Sequence, residues 1–444
     1  MRLKERLTGN AALALLLGIN LFNYIDRQVL AAVVPNIRHE FFADGQTPGP
    51  FVQFLLDVMG KFLGGNPENA MIGLLAMAFM VTYMLMAPVF GLLRMKRWWV
   101  VAGGVALWSL ASGASGLATT FGVLLLTRCF VGIGEAAYGP VAPTMIADIY
   151  PEKVRGRMLS WFYLAIPVGS ALGFVLGGLA ASYLGWQWAF YLVVPPGIAL
   201  AIVCLFMAEP VSGAADGAVK AGERKLTLSD YKVLLKTPSY VLNTLGMALM
   251  CFAIGGIGFW MPSYIHEFRG VGNLAQVNMI FGVILVVSGL SATLTGGIVA
   301  DKLKERHRGA YFLVSACAML VGVPFFLLSL YVPFPWAWLC IFMACFCLFF
   351  NTGPTNAILS NVTHPAIRAG AYALNILVIH ALGDVISPLV IGAITDVTGS
   401  MTFAFQVLSA LVFGSGILWF WGSRHLGRDT DLAVKRLEES EKKK

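Results

Sequence analysis

The sequence predicts an all-α membrane protein of twelve transmembrane helices arranged as two pseudo-symmetric six-helix bundles. Three observations carry that prediction. Hydrophobic residues fill 58% of the 444 positions against 12% charged, with a mean hydropathy of +0.76, far from the balance of a soluble globular chain. Twelve apolar runs, near 11–37, 69–93, 98–118, 121–148, 155–183, 187–208, 238–265, 275–300, 310–331, 335–361, 369–396 and 401–423, each have the length needed to cross a bilayer. With the N-terminus placed on the cytoplasmic side, 26 of the 31 Lys and Arg fall on that side, and only Arg38, Lys61 and Arg269 lie opposite. That asymmetry predicts cytoplasmic N- and C-termini and a multi-pass location in the plasma membrane, or in the inner membrane if the source is bacterial.

The net charge of +8 sits in these short links, so nucleic acid is not an expected partner. The seven cysteines fall inside apolar runs without metal-site spacing and read as packing residues. The basic N-terminus precedes an apolar run too long for a signal peptide, so the first span is expected to stay in the protein.

In the first run, Asn23-Tyr24-Ile25-Asp26-Arg27-Gln28 places a carboxylate and a guanidinium in an apolar helix. Such charges cost at least ~2.5 kcal/mol at the bilayer centre and therefore face protein or water. Neighbours on a helix point about 100° apart, so Asp26 and Arg27 are expected to find different partners. After this span, Phe51, Phe54, Leu55, Val58, Met59 and Phe62 recur at helical spacing with Gln53, Asp57 and Lys61 opposite, which predicts a short helix in the outer interface. A cover over the helix ends is the simpler role for it, and lipid handling the alternative.

Span four carries Arg128 and Glu135, which seven residues bring to one face about 10 Å apart along the axis. Arg suits a carboxylate or phosphate because its planar fork binds bidentately, and a glutamate shielded from water is suited to taking up a proton. A fixed ion pair with Asp26 or Arg27 is the structural alternative. Gly132 and Gly134 between them permit close helix approach, and Gly169, Gly173 and Gly177 of span five form a close-packing face. Gly255-Gly256-Ile257-Gly258 of span seven reads equally as a bending point or as ordinary packing.

Residues 209–236 interrupt the pattern with Gly, Ala, Lys and Glu, giving predicted domains of 1–208, a linker at 209–236, a second bundle at 237–426 and a charged cytoplasmic tail at 427–444 without chemistry of its own. Gly91 to Arg97 after span two echoes Gly297 to Lys302 after span eight, and Pro151 to Arg155 echoes Pro365 to Arg368. Duplicated membrane halves enclose a substrate site near the midplane. In the second half, span ten offers Asn351, Thr352, Thr355 and Asn356, and span eleven places His380 and Asp384 one turn apart on one face, as a proton relay or as a satisfied polar contact between helices. No phosphate loop, metal-ligand cluster or nucleophile motif appears, so neither enzyme activity nor a cofactor is expected.

Taken together these pieces resemble the major facilitator superfamily across all twelve spans. Gly297 to Arg306 resembles its cytoplasmic signature, and Arg128 to Glu135 with Pro151 to Arg157 its span-four region. Phe22 to Arg27, the Gly-x-Gly-Glu of span four and His380-x-x-x-Asp384 are similar to the Spinster family of lysolipid and sphingolipid transporters. The resemblance implies a major facilitator fold with alternating access, proton coupling at Asp26 and Glu135, and an anionic headgroup held by Arg27 and Arg128. It leaves Tyr24, Asn356, His380 and Asp384 as secondary cavity residues, and Gly297, Asp301, Arg306 and Arg155 as a cytoplasmic gate. One departure stands out: the first signature copy has Leu93 before Arg94 where the family pattern has an acid. The expected function is proton-coupled transport of a lysophospholipid or phosphorylated sphingoid base by a monomer surrounded by membrane lipids. A facilitator of small organic anions and a non-transporting receptor or sensor are the alternatives.

Overall fold

The computed structural model describes residues 3–43, 49–93, 95–210, 228–364 and 367–433. Arg94, Pro365, most of the predicted linker and the last eleven residues lie outside them. Among the described residues eleven segments are long and apolar enough to cross a membrane, and the 30-residue helix Leu3–Ala32, interrupted in its apolarity by Asp26 and Arg27, is also of spanning length. In chain order the spans are Leu3–Ala32, Glu68–Leu92, Arg97–Gly116, Phe121–Ala136 with Val141–Ile149, Glu152–Tyr183, and Gln187–Tyr191 with Val194–Leu205. The second six are Pro238–Ser263, Leu274–Lys304, Ala310–Tyr331, Trp336–Phe349 with Thr352–Val362, Arg368–Ile379 with Ser387–Thr398, and Met401–Gly422.

The duplication is visible in where helices break. Spans four and ten are each interrupted near a Gly-Pro pair, Gly139-Pro140 and Gly353-Pro354, because proline lacks the N–H that would continue the ladder. Each pair stands twelve residues before the proline of the matching loops, Pro151 and Pro365. In those loops Arg155 donates to the carbonyl of Tyr150 and Arg368 to that of Thr363, the same five-residue return in both copies. The starts of spans three and nine repeat the theme: Arg97 pairs with Glu209 beyond span six, and Arg308 with Asp431 beyond span twelve.

The chain forms two compact units. The first holds the described residues up to 210 together with 259–283 and 388–399. Its spans one and five pack at backbone distance: a Cβ on Gly169 would lie 2.6 Å from the carbonyl oxygen of Leu21, and one on Gly173 2.6 Å from that of Ile25. The close-packing reading of this glycine face therefore holds. At the end opposite the N-terminus a polar network closes this unit. Asp396 accepts from the backbone N–H of Asn69 and of Ala70, the first turn of span two, which lacks a side-chain cap of its own. Arg38 bridges Glu267 at 2.7 Å and Asn69 at 2.6 Å, and Asn278 donates to the carbonyl of Ala32 at the end of span one. Removing the cap by Asp396→Ala is expected to lower stability by about 1–2 kcal/mol, read as a lower unfolding temperature in detergent; an unchanged midpoint would mean that these amides find another acceptor.

The second unit holds the described parts of 228–258, 284–387 and 400–433. Here the tail departs from expectation: Asp429 is buried and its carboxylate accepts from the backbone N–H of Ser239, capping the start of span seven. A helix start buried without a partner would leave N–H groups unsatisfied, and the tail residue supplies the acceptor. Gly255 of span seven rests against the backbone of Asp384, where a Cβ would come within 2.8 Å of its Cα, so this glycine serves packing.

Candidate functional site

Within the first unit, spans one, three and four bring Asp26, Arg27, Arg128 and Glu135 into one buried cluster. Close approach makes this possible. A Cβ on Gly134 would lie 2.7 Å from the backbone nitrogen of Trp108 and 2.8 Å from the carbonyl oxygen of Gly104, so span four lies directly on span three. On the adjacent face Gly132 meets span two with no room for a side chain, and Thr82 donates to the carbonyl of Cys129 at 3.0 Å.

The four charges divide as helical geometry demands. Asp26, 1% exposed, turns toward span three and accepts from the hydroxyl of Ser112, while its second oxygen, Oδ2, has no hydrogen-bond partner. Arg27 turns the other way and donates from Nε to Oε2 of Glu135 at 2.7 Å. Glu135 is fully buried, and the Arg27 side chain keeps 20% of its surface exposed. Three rings surround that guanidinium, with Tyr24, Phe79 and Tyr83 centroids at 4.9, 5.2 and 5.3 Å. Such cation–π contacts hold a cation without consuming its N–H donors. Arg128, 2% exposed, stands over the ring of Phe190 at 5.4 Å and interacts electrostatically with both Asp26 and Glu135. Its Nε and Nη2 have no hydrogen-bond partner.

The cluster holds two acids and two guanidiniums, so its charges balance, yet its hydrogen bonding does not. An unsatisfied buried donor costs about 1–3 kcal/mol, and Arg128 carries two in a cluster with an equally unpaired carboxylate oxygen. Chemically the arrangement is suited to an anion on Arg128 and to a proton on a carboxylate, each change relieving the charge imbalance left by the other.

The remaining predicted residues are elsewhere. His380 Nδ1 and Asp384 Oδ1 pair at 2.8 Å in the second unit, on a π-helical turn at His380–Asp384 where span eleven bends at Gly383. The pair meets within its own segment, a geometry compatible with both readings. Asn356 is exposed and its amide donates to the carbonyl of Thr352 in its own helix. Of the gate residues, Asp301 accepts from the hydroxyl of Tyr311, Arg306 is exposed and a Cβ on Gly297 would meet nothing within 4 Å, all in the second unit, whereas Arg155 belongs to the first. Just beyond the departure in the first signature copy, Arg97 pairs with Asp148 at 2.5 Å and with Glu209 at 2.8 Å.

Sequence reasoning missed Ser112, Phe79 and Tyr83. Ser109, Ser112 and Ser115 at three-residue steps in an apolar helix are a detectable polar stripe, whereas two aromatics in an apolar span carry no signal.

The family model and the curated relatives place the chain among multi-pass membrane transporters rather than enzymes. The chain belongs to the Major Facilitator Superfamily, whose family model matches residues 16–388, and within it to the Spinster proteins. It is 36% identical over 403 residues to Protein spinster homolog 1 of Xenopus laevis, covering 85% of this chain and 71% of that protein. It is 34% identical over 401 residues to the Sphingosine-1-phosphate transporter SPNS2 of Danio rerio, covering 85% and 74%. In fold it is similar to the crystal structure of a bacterial homolog to the human lysosomal transporter Spinster in an inward-facing and unoccupied conformation. That match has a TM-score of 0.75 at 20% identity, over 97% of this chain and 98% of the other.

Proposed function

We propose that this chain is a proton-coupled secondary transporter of an amphipathic anionic lipid, a lysophospholipid or a phosphorylated sphingoid base, working by alternating access. The observation that carries the reading is the buried guanidinium of Arg128, with two unpartnered donor nitrogens, in a cluster with the unpaired oxygen of Asp26. The name of the Danio rerio relative supports a phosphorylated lipid as cargo.

In this mechanism Arg128 is the fixed anion contact and Arg27 the exchangeable one. A proton on Glu135 weakens its pull on Arg27, and the aromatic rings keep the freed guanidinium in place while its N–H groups turn to the headgroup. Asp26 takes up a proton when the anion is bound beside Arg128, keeping the buried charge near zero. His380 and Asp384 serve as a secondary polar site in the second half. Gly297, Asp301 and Arg306 in the second unit, and Arg155 in the first, serve as gate residues each within its own unit. The protein works as a monomer with both termini cytoplasmic, in a plasma membrane or bacterial inner membrane.

The test is uptake of a labelled lysophospholipid into proteoliposomes with and without an imposed pH gradient. Accumulation that depends on the gradient supports the proposal. Uptake of a short-chain phosphate with no preference for an acyl chain overturns the lipid assignment, and binding without accumulation overturns transport. Arg27→Ala separates headgroup binding from scaffolding: affinity for the anionic lipid is expected to fall about tenfold or more while an uncharged analogue loses less than about threefold. Equal losses for both ligands would make Arg27 a structural residue.

A further inference from the structure

The helix Pro50–Leu63, which joins the end of span one to the start of span two, takes no part in the buried cluster. Its surface divides into three stripes. Val52 is buried and Leu55 and Met59 are half-buried, so this edge packs on the protein; Phe51 and Val52 lie against Gly122 at the start of span four, where a Cβ would stand 3.4 and 3.8 Å from them. Gln53, Asp57 and Lys61, at four-residue steps, form an exposed polar stripe tied by a Gln53 to Asp57 hydrogen bond of 2.8 Å. Between the two runs an apolar edge of Phe51, Phe54 and Phe62, exposed by 56, 60 and 85%.

Three exposed phenylalanines on one edge of a 14-residue helix are not explained by packing within the protein. The first of them, Phe51, stands beside the start of another apolar surface. On span four, against which the helix begins, Val123, Leu126 and Phe130 are exposed at three- and four-residue steps, the lipid-facing side of a transmembrane helix. The glycine at 64, with φ of +75°, then ends the helix and turns the chain back toward span two.

We infer that Pro50–Leu63 lies along the bilayer surface at the end of the molecule opposite the N-terminus, with Phe51, Phe54 and Phe62 inserted at the headgroup and acyl-chain boundary and Gln53, Asp57 and Lys61 in the headgroup layer. The occupant of the apolar edge is membrane lipid. Adjacency to the lipid-facing side of span four selects it, because a protein partner covering the edge would also have to enter the bilayer beside that span. A polar stripe carrying one acid and one base needs no particular headgroup charge, so binding to the leaflet rests on the aromatic edge.

The inference is tested with the full chain carrying a photoreactive p-benzoylphenylalanine at one position in turn, Phe54, Phe62, Gln53 or Asp57, in phosphatidylcholine proteoliposomes. After irradiation, acyl-chain adducts are counted by mass spectrometry. Phe54 and Phe62 are expected to give at least about fivefold more lipid adduct than Gln53 and Asp57. Equal yields at all four positions, or a cross-link from Phe62 to a second copy of the chain, would overturn the assignment. Because all four side chains are exposed, replacement leaves the packed edge at Val52 untouched, and a matched yield of folded protein confirms that each variant is comparable.

Discussion

Asp26→Asn is expected to abolish uptake driven by a pH gradient while leaving lipid binding intact. Asn has the same shape and keeps an oxygen for the Ser112 hydroxyl, so the substitution removes the charge and the titrating proton without opening a cavity. Arg128 then loses a neighbouring negative charge and still has Glu135 near it, which favours an anion at its free N–H groups. Gradient-driven uptake is expected to drop about tenfold or more, with equilibrium affinity unchanged or tighter. Measuring both on the same preparation decides the matter. Unchanged coupling would remove Asp26 from the proton path, and a parallel loss of binding and folded yield would make it a structural ligand of span three.

Gly132→Ala is expected to have the largest effect on stability. The added Cβ would overlap the carbonyl oxygen of Phe79 and the hydroxyl of Thr82, so spans two and four must move apart. Overpacking of this kind costs about 1–3 kcal/mol, or more where backbone must shift. The same movement separates Thr82 from the carbonyl of Cys129 and displaces Arg128 and Glu135, which flank the glycine on one helix. A lower unfolding temperature together with lost uptake is the expected result. Gly103→Ala is the control, since a Cβ there meets nothing within 4 Å and alanine favours the helix. Equal effects of the two substitutions would show that the crossing is not tight.

Much of this arrangement was legible in the sequence because membranes make certain errors expensive. Asp26 and Arg27 cannot face lipid, and a turn of 100° between them sends one to Ser112 and the other to Glu135. Gly132 and Gly134 announced a close crossing for the same reason. What stayed hidden depends on which helices cross and at what height. Ser112 is one of three serines in span three, and only the crossing with span one selects it. The rings of Phe79 and Tyr83 look like lipid-facing residues until Arg27 is placed between them. The tail looked like a solvated charge run because nothing local to Asp429 reveals the bare helix start at Ser239. At His380 and Asp384 the four-residue spacing placed both residues on one helix face, whereas the π-helical turn and the bend at Gly383, which lies close against Cys251 and Ala248, have no signal in the local sequence.

The cap that Asp396 places on span two has a consequence for how the protein is made. Its two oxygens serve amides that lie 327 and 326 residues earlier in the chain. During synthesis span two enters the bilayer long before its acceptor exists, and in that interval water or lipid headgroups must satisfy the N–H groups of Asn69 and Ala70. Arg38 waits in the same way for Glu267. The first unit is therefore not finished when its own six spans have been inserted: its far end is completed only by segments from the second half of the gene. The later half thus supplies the hydrogen-bond acceptors that the far end of the first unit uses.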